Sequence, residues 1–168
     1  MPTPLWTPSP NFWPDRRGLR PLAIVCHIED GTESGTVAWF QNPESRVSTH
    51  YSVAKDGVIH HYVREEDTAW GNGVVRQPSW DLLEEYPGVN PNLYTLSVEH
   101  EGKPGDAVAE PQYQASLWLL RRLCSRWDIP PTPDRIVGHY RIDGVGRSYC
   151  PGPTFPWQRL LADLATGT

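Results

Sequence analysis

Pro21-Leu22-Ala23-Ile24-Val25-Cys26-His27-Ile28 is the segment from which the architecture can be read. It is apolar without alternation until His27, as expected of a strand buried on both faces. Such a strand needs a layer of structure on each side of its sheet. Downstream, Thr32 or Ser34 can cap a helix carrying Val37, Trp39 and Phe40. His50 to Ala54 and Val58 to Val63 read as strands around Lys55-Asp56-Gly57, and Asp-Gly between such runs signals a hairpin. Residues 64–93 form a turn-rich loop holding Trp70-Gly71-Asn72-Gly73 and Trp80. Loops of that length in compact domains are functional or disordered. Tyr94 to Glu101 is a further strand. Pro111 suits the first turn of a helix, along which Tyr113, Leu117, Leu120, Cys124 and Trp127 recur at helical spacing. Arg121, Arg122 and Arg126 are expected on its solvent side, and Pro130, Pro131 and Pro133 end it. Arg135 to His139 is a short strand and Phe155 to Leu164 a final helix. The expected class is α/β, with a single central mixed β-sheet flanked by helices on both faces.

At 168 residues the chain fits one domain with a sizeable core. Residues 1–20, rich in Pro, Trp and Arg, read as an extended arm packed by Trp6, Phe12 and Trp13, ahead of a domain over 21–168. Arg16, Arg17 and Arg20 read as a solvated basic loop. A mean hydropathy of -0.52 fits a soluble chain, and no apolar run approaches the roughly 20 residues that span a bilayer. The net charge of -5 argues against nucleic acid as a partner. The start lacks a basic region followed by an apolar stretch, so the expectation is synthesis in the cytoplasm without a secretory signal. Three cysteines make a disulfide framework unlikely on parity alone. Cys26 should point away from His27, and it and Cys124 read as small buried apolar residues. Eighteen prolines and only two lysines, Lys55 and Lys103, lean toward a thermophilic or GC-rich source and a thermostable fold.

The chemistry lies in three residues far apart in sequence. His27 and His139 each close an apolar strand, and Cys150 sits in the loop Ser148-Tyr149-Cys150-Pro151-Gly152-Pro153. Two imidazoles and a thiolate are good ligands for one Zn2+, and three protein ligands leave an open position, the mark of a catalytic site. An open zinc polarises a carbonyl and lowers the pKa of bound water. Strand ends are where open sheets place their sites. A lone histidine at a strand end is more often structural than a ligand, and for the trio together spacing leaves both possibilities standing.

Six segments occurring in order carry a resemblance. They are IVCH (24–27), WFQNP with VSTHYSVAKDGVIHHYV (39–43 and 47–63), AWGNG (69–73), LSVEHEG (96–102), VGHYRID (137–143) and YCPGP (149–153). Together they resemble the zinc-dependent N-acetylmuramoyl-L-alanine amidases related to peptidoglycan recognition proteins and phage lysozyme-type amidases, over roughly residues 20–165. The resemblance implies that fold and a zinc amidase catalytic domain. It places the metal ligands at His27, His139 and Cys150 and the catalytic glutamate at Glu99. Ser97, Glu99 and Glu101 share one strand face, so the placement is sterically reasonable. Glu99 would serve as base toward water and then as acid toward the leaving amine.

Two departures stand out. Some relatives carry a catalytic Tyr where this chain has Thr49, which is left to orient water or substrate. Many place Lys two residues before the third ligand, where this chain has Ser148, with Arg147 one step earlier as the candidate oxyanion stabiliser. His50 and His100 read as core or supporting residues. His60 and His61 point oppositely, and His61 is the candidate for the groove. Trp70 and Asn72 are further substrate-binding candidates, since sugars stack on aromatic faces and bond to amides; Trp70 reads equally as a buried loop anchor.

The expected function is hydrolysis of the amide between N-acetylmuramic acid and the L-alanine of the stem peptide, with bacterial peptidoglycan as partner and the chain acting as a monomer. The missing signal and the lack of a wall-binding domain fit a phage or prophage endolysin acting on the wall after holin-dependent release or lysis. Two rivals are a non-catalytic muropeptide-binding module and a cytosolic amidase recycling anhydro-muropeptides. A cysteine hydrolase built on Cys150 and His139 would leave His27 unused.

Overall fold

The computed structural model describes residues 3–166. In chain order the elements are β1 (Leu5–Trp6), β2 (Phe12–Trp13), β3 (Ala23–Ile28), α1 (Glu33–Gln41), β4 (Tyr51–Val53), β5 (Ile59–His61), β6 (Thr68–Ala69), α2 (Leu82–Glu85), β7 (Thr95–His100), α3 (Glu110–Trp127), β8 (Ile136–Gly138) and α4 (Trp157–Ala165). Six strands form one mixed sheet in the order β1-β5-β4-β7-β3-β8, and β2 and β6 form a separate antiparallel pair. The β4–β5 pair is antiparallel, and every other neighbouring pair of the large sheet is parallel. The strands are a residue or two shorter at their ends than the sequence predicts. Among the described residues no helix is long and apolar enough to cross a membrane.

The apolar run of β3 is buried on both sides, as its composition requires. Ile24 and Cys26 pack with Leu96 and Val98 of β7 against the apolar stripe of α3 (Tyr113, Leu117, Leu120, Cys124) and against Leu160 and Leu164 of α4. Ala23 and Val25 face the other way, into a smaller cluster with Tyr94, Val137, Trp80 and Leu82. On that second side α1 contributes Phe40, packed on Tyr62 and Val63, and Glu33, whose carboxylate accepts from the Ser52 hydroxyl at 2.6 Å. Helices therefore lie on both faces. Thr32 caps α1, accepting from the Gly35 N–H at 3.3 Å. Gly57 turns the hairpin at φ +90°, where a Cβ would also meet the Pro111 carbonyl at 2.9 Å.

The N-terminal arm is extended and held in place. β1 runs parallel to β5 at the sheet edge and β2 pairs with β6. Trp6 lies edge-on to His61 yet stays half exposed. Arg16 overturns the expectation of a solvated basic loop. It is buried, and its guanidinium donates to the carbonyls of Glu65, Asn92, Leu93 and Thr95. A buried cation persists only when its donors are satisfied, and carbonyls of the 64–95 segment satisfy these. Two arginines of α3 are likewise more than solvent decoration. Arg122 and Arg126 pair with buried Glu65 at 2.8 and 2.9 Å, while Arg121 donates to the Asp163 carbonyl.

Candidate metal centre and active-site groove

Parallel pairing brings the site together. β3 and β7 are in register with His27 opposite Glu99, and β3 and β8 with Val25 opposite Val137. Side chains alternate across a strand, so His27, Glu99 and the residue two beyond Val137, His139, emerge on the face away from α3. All three lie at the C-terminal ends of parallel strands, where ligand sites of open sheets form. Cys150 arrives from the following loop. Its backbone carbonyl accepts from Tyr140 N–H at 3.1 Å, and its sulfur accepts from Ile28 N–H at 3.4 Å. Gly138 allows this approach: a Cβ there would stand 2.8 Å from Pro151 Cδ and 2.5 Å from the Tyr140 ring.

One ligand atom from each of His27, His139 and Cys150 lies within 4.8 Å of the others, and all three residues are buried. The two Nδ1 atoms face each other at 3.0 Å. His139 Nε2 lies 3.0 Å from the Asn72 carbonyl, which can only accept, so this nitrogen carries the proton and Nδ1 keeps its lone pair. Burial lowers the His27 pKa well below the ordinary imidazole value, aided by His139 and opposed by the Asn72 carboxamide. Burial likewise takes His139 down to about 4. Both rings are therefore neutral near pH 7, the form that ligates metal. The Cys150 thiol is pushed up to about 12, by burial first and then by Glu99. Converging neutral nitrogens and a sulfur, with a second ring nitrogen held by a carbonyl, are a donor set that would suit a zinc ion.

Glu99 stands beside this trio, with Oε1 4.0 Å from His27 Nδ1. Burial raises its pKa to about 8, and Arg147 opposes the rise. Its Oε2 is buried with no hydrogen-bond partner. His139, Cys150, Glu99 and Arg147 all line a groove of about 920 Å³, within the size range of small-molecule sites. Trp70 lines it too, its indole Nε1 buried and unpartnered.

Three substrate-binding expectations are not met by the groove wall. Thr49, just ahead of β4, is fully buried, and its hydroxyl donates to the carbonyls of Tyr51 and Ser97. His61 lies stacked on Tyr51 at 4.4 Å between centroids, with Nε2 donating to the Val63 carbonyl. Asn72 is buried behind the groove and acts on the histidines instead, through its carbonyl to His139 and its carboxamide near His27. His50 and His100 are buried supports, as expected: His50 Nδ1 accepts from Ser97 N–H and His100 Nδ1 donates to the His27 carbonyl.

The sequence offered no signal for two other features. Glu29 lines the groove with its carboxyl pushed up to about 9, by burial and then by Glu33. Arg76 grips Asp143 at 2.6 Å, and Asp143 in turn accepts from the backbone N–H groups of Val145 and Gly146. This ties the loop between the second and third ligands to residues 74–80. Pairs of that separation leave no local pattern.

A mixed sheet carrying three residues that could hold a metal ion, with a buried carboxylate beside them, has the donor set of a metallohydrolase site. The N-acetylmuramoyl-L-alanine amidase family matches residues 17–153, and the chain belongs to that family. It is 30% identical to N-acetylmuramoyl-L-alanine amidase A of Achromobacter lyticus over 91% of this chain and 88% of the relative. It is 32% identical to the 1,6-anhydro-N-acetylmuramyl-L-alanine amidase AmpD of Salmonella typhimurium over 71% of this chain, a match spanning 58% of that relative. The crystal structure of a selenomethionine AmpD derivative superposes with a TM-score of 0.77 at 26% identity, covering 95% of this chain and 93% of the other. A mutant endolysin from Bacillus subtilis shares the fold, with a TM-score of 0.72 at 17% identity over 98% and 99% of the two chains. The chain is thus an amidase of this family.

Proposed function

We propose that this protein is a zinc-dependent hydrolase of peptidoglycan that cleaves the amide between N-acetylmuramic acid and the L-alanine of the stem peptide. The observation that carries this is the convergence of His27, His139 and Cys150 beside Glu99, with His139, Cys150 and Glu99 lining the groove. His27, His139 and Cys150 would hold the zinc, which when bound supplies Lewis acidity toward the scissile carbonyl and an acidified water. Asn72 fixes the His139 ring through its carbonyl. Glu99, buried beside the three candidate ligands, takes the proton from the attacking water and returns it to the departing amine of L-alanine. Arg147 places a guanidinium on the groove wall, where it stabilises negative charge developing on the carbonyl oxygen.

In the cell we assign it the role of an endolysin, made in the cytoplasm and reaching the wall after release, and acting as a monomer. Its similarity to AmpD supports a second reading, recycling of soluble anhydro-muropeptides. The test uses purified sacculi and soluble anhydro-muropeptides, each with chelator and with zinc add-back, followed by mass analysis. Chelator-sensitive release of stem peptides with an L-alanine amino terminus from sacculi is the expected result. Release from soluble fragments alone selects recycling, and sacculus binding without any product overturns the enzymatic reading.

A further inference from the structure

Among the described residues nine large hydrophobic side chains are exposed, and four of them, Trp39, Val47, Val74 and Tyr149, line the groove shared with His139, Cys150 and Glu99. Trp39 is 54% and Tyr149 72% exposed. Neither belongs to any of the three apolar clusters of the fold. Folding therefore does not account for them, and exposed apolar groups gathered at one groove mark a binding surface. Both are firmly mounted. Trp39 stands on α1 beside buried Phe40, and Tyr149 precedes Cys150, whose backbone N–H and carbonyl are both bonded. They come from separate elements, so the groove carries an aromatic on each.

The polar wall of Glu99, Arg147 and Glu29 suits an amide, a carboxylate and their hydrogen bonds. The aromatics suit something else. A pyranose ring presents a face of C–H groups that packs on an aromatic plane, while its hydroxyls stay in water at an open rim. Trp and Tyr combine an apolar body with a polar edge that tolerates that wet position.

Resting on the peptidoglycan reading above, we infer that Trp39 and Tyr149 are saccharide platforms. They grip sugar units of the glycan strand beyond the muramyl residue whose amide is cut, and so favour the polymer over small soluble muropeptides. The platforms are specificity determinants and take no part in the chemical step.

The test is the double variant Trp39→Ala/Tyr149→Ala, compared with Trp39→Phe. Both positions are exposed, and a thermal melt checks that the fold survives. We expect kcat/KM on sacculi to fall at least tenfold further than kcat/KM on a soluble muropeptide, with Trp39→Phe restoring most of the loss at that position. Binding is read separately by co-sedimentation with sacculi in a Glu99→Gln background, where the double variant should weaken the apparent Kd about tenfold. Equal losses on both substrates, or unchanged co-sedimentation, overturn the inference. If the unaltered protein cleaves neither substrate, the amidase reading fails, and the co-sedimentation arm still decides whether the platforms bind glycan.

Discussion

Glu99 has one carboxylate oxygen 4.0 Å from a candidate ligand nitrogen and the other buried without a partner. Glu99→Gln keeps the shape and removes the base. It should lower kcat by about 10³-fold, within the range for a general acid–base group, while zinc content by atomic absorption is unchanged. Arg147 holds the Glu99 pKa down against burial. Arg147→Ala should lower kcat by about 10²-fold. It should also move the acid limb of the pH–rate profile to higher pH, because the base then stays protonated longer; Arg147→Lys should restore both in part. Cys150 gives a third prediction. Burial holds its thiol protonated in the metal-free protein, at about 12, and metal ligation requires the thiolate. Zinc binding near pH 7.5 should release a proton from it, read by calorimetry in buffers of different ionisation enthalpy. Cys150→Asp, already ionised, should release one proton fewer.

At the scale of elements, β8 and the loop after it are set by close approach. Gly138→Ala puts a Cβ against Pro151 and the Tyr140 ring. It should displace the Cys150 loop and weaken zinc affinity, measured by chelator competition, with a smaller effect on the thermal midpoint. Most elements were legible because each carries a local signature: the unbroken apolar run of β3, the Asp56-Gly57 hairpin, the helical stripe of α3. The arm was misjudged at Arg16, and α3 at Arg122 and Arg126, for a common reason. A charge looks solvated in sequence unless its partner is nearby, and their partners are Glu65 and backbone carbonyls tens of residues away. Burial pushes the Glu65 pKa up, but bonds from Tyr51, Arg122 and Trp127 outweigh it and the net shift is down. Thr49 and His61 failed as groove residues because alternation gives a side chain's face but not what covers that face.

Over the whole molecule, buried ionisable groups set a pH optimum for stability of the metal-free protein. His27, His50, His61, His100 and His139 have pKa values lowered by burial. Below their ordinary value of about 6.5 the unfolded chain takes up protons that the folded one does not, so stability falls as pH drops. Glu29 and Glu99 have raised values of about 9 and about 8. They favour the folded state below about 4.5 and lose that contribution as pH rises toward 8–9. Below pH 6.5 the five imidazoles outnumber the two carboxyls. Denaturant unfolding of the metal-free protein should therefore show maximal stability near pH 6.5 and a decline on both sides, with a slope of about 1.4 kcal/mol per pH unit for each net proton. Constant stability from pH 5 to 8 would refute this.

By itself the sequence determined the strands β3, β4, β5, β7 and β8, the helices α1, α3 and α4, the sheet class, the family and the candidate ligands with Glu99. Each of these is written in local periodicity or in short ordered motifs, while β1, β2, β6 and the short α2 lay hidden in segments read as an arm and a loop. Only the folded chain decided which side chains stand together. The in-register pairing of β3 with β7 sets Glu99 beside His27, the Asn72 carbonyl selects the His139 tautomer, and Trp39 and Tyr149 both line one groove. Such contacts join residues many positions apart, through backbone register and burial. Neither leaves a pattern that can be read along a single chain.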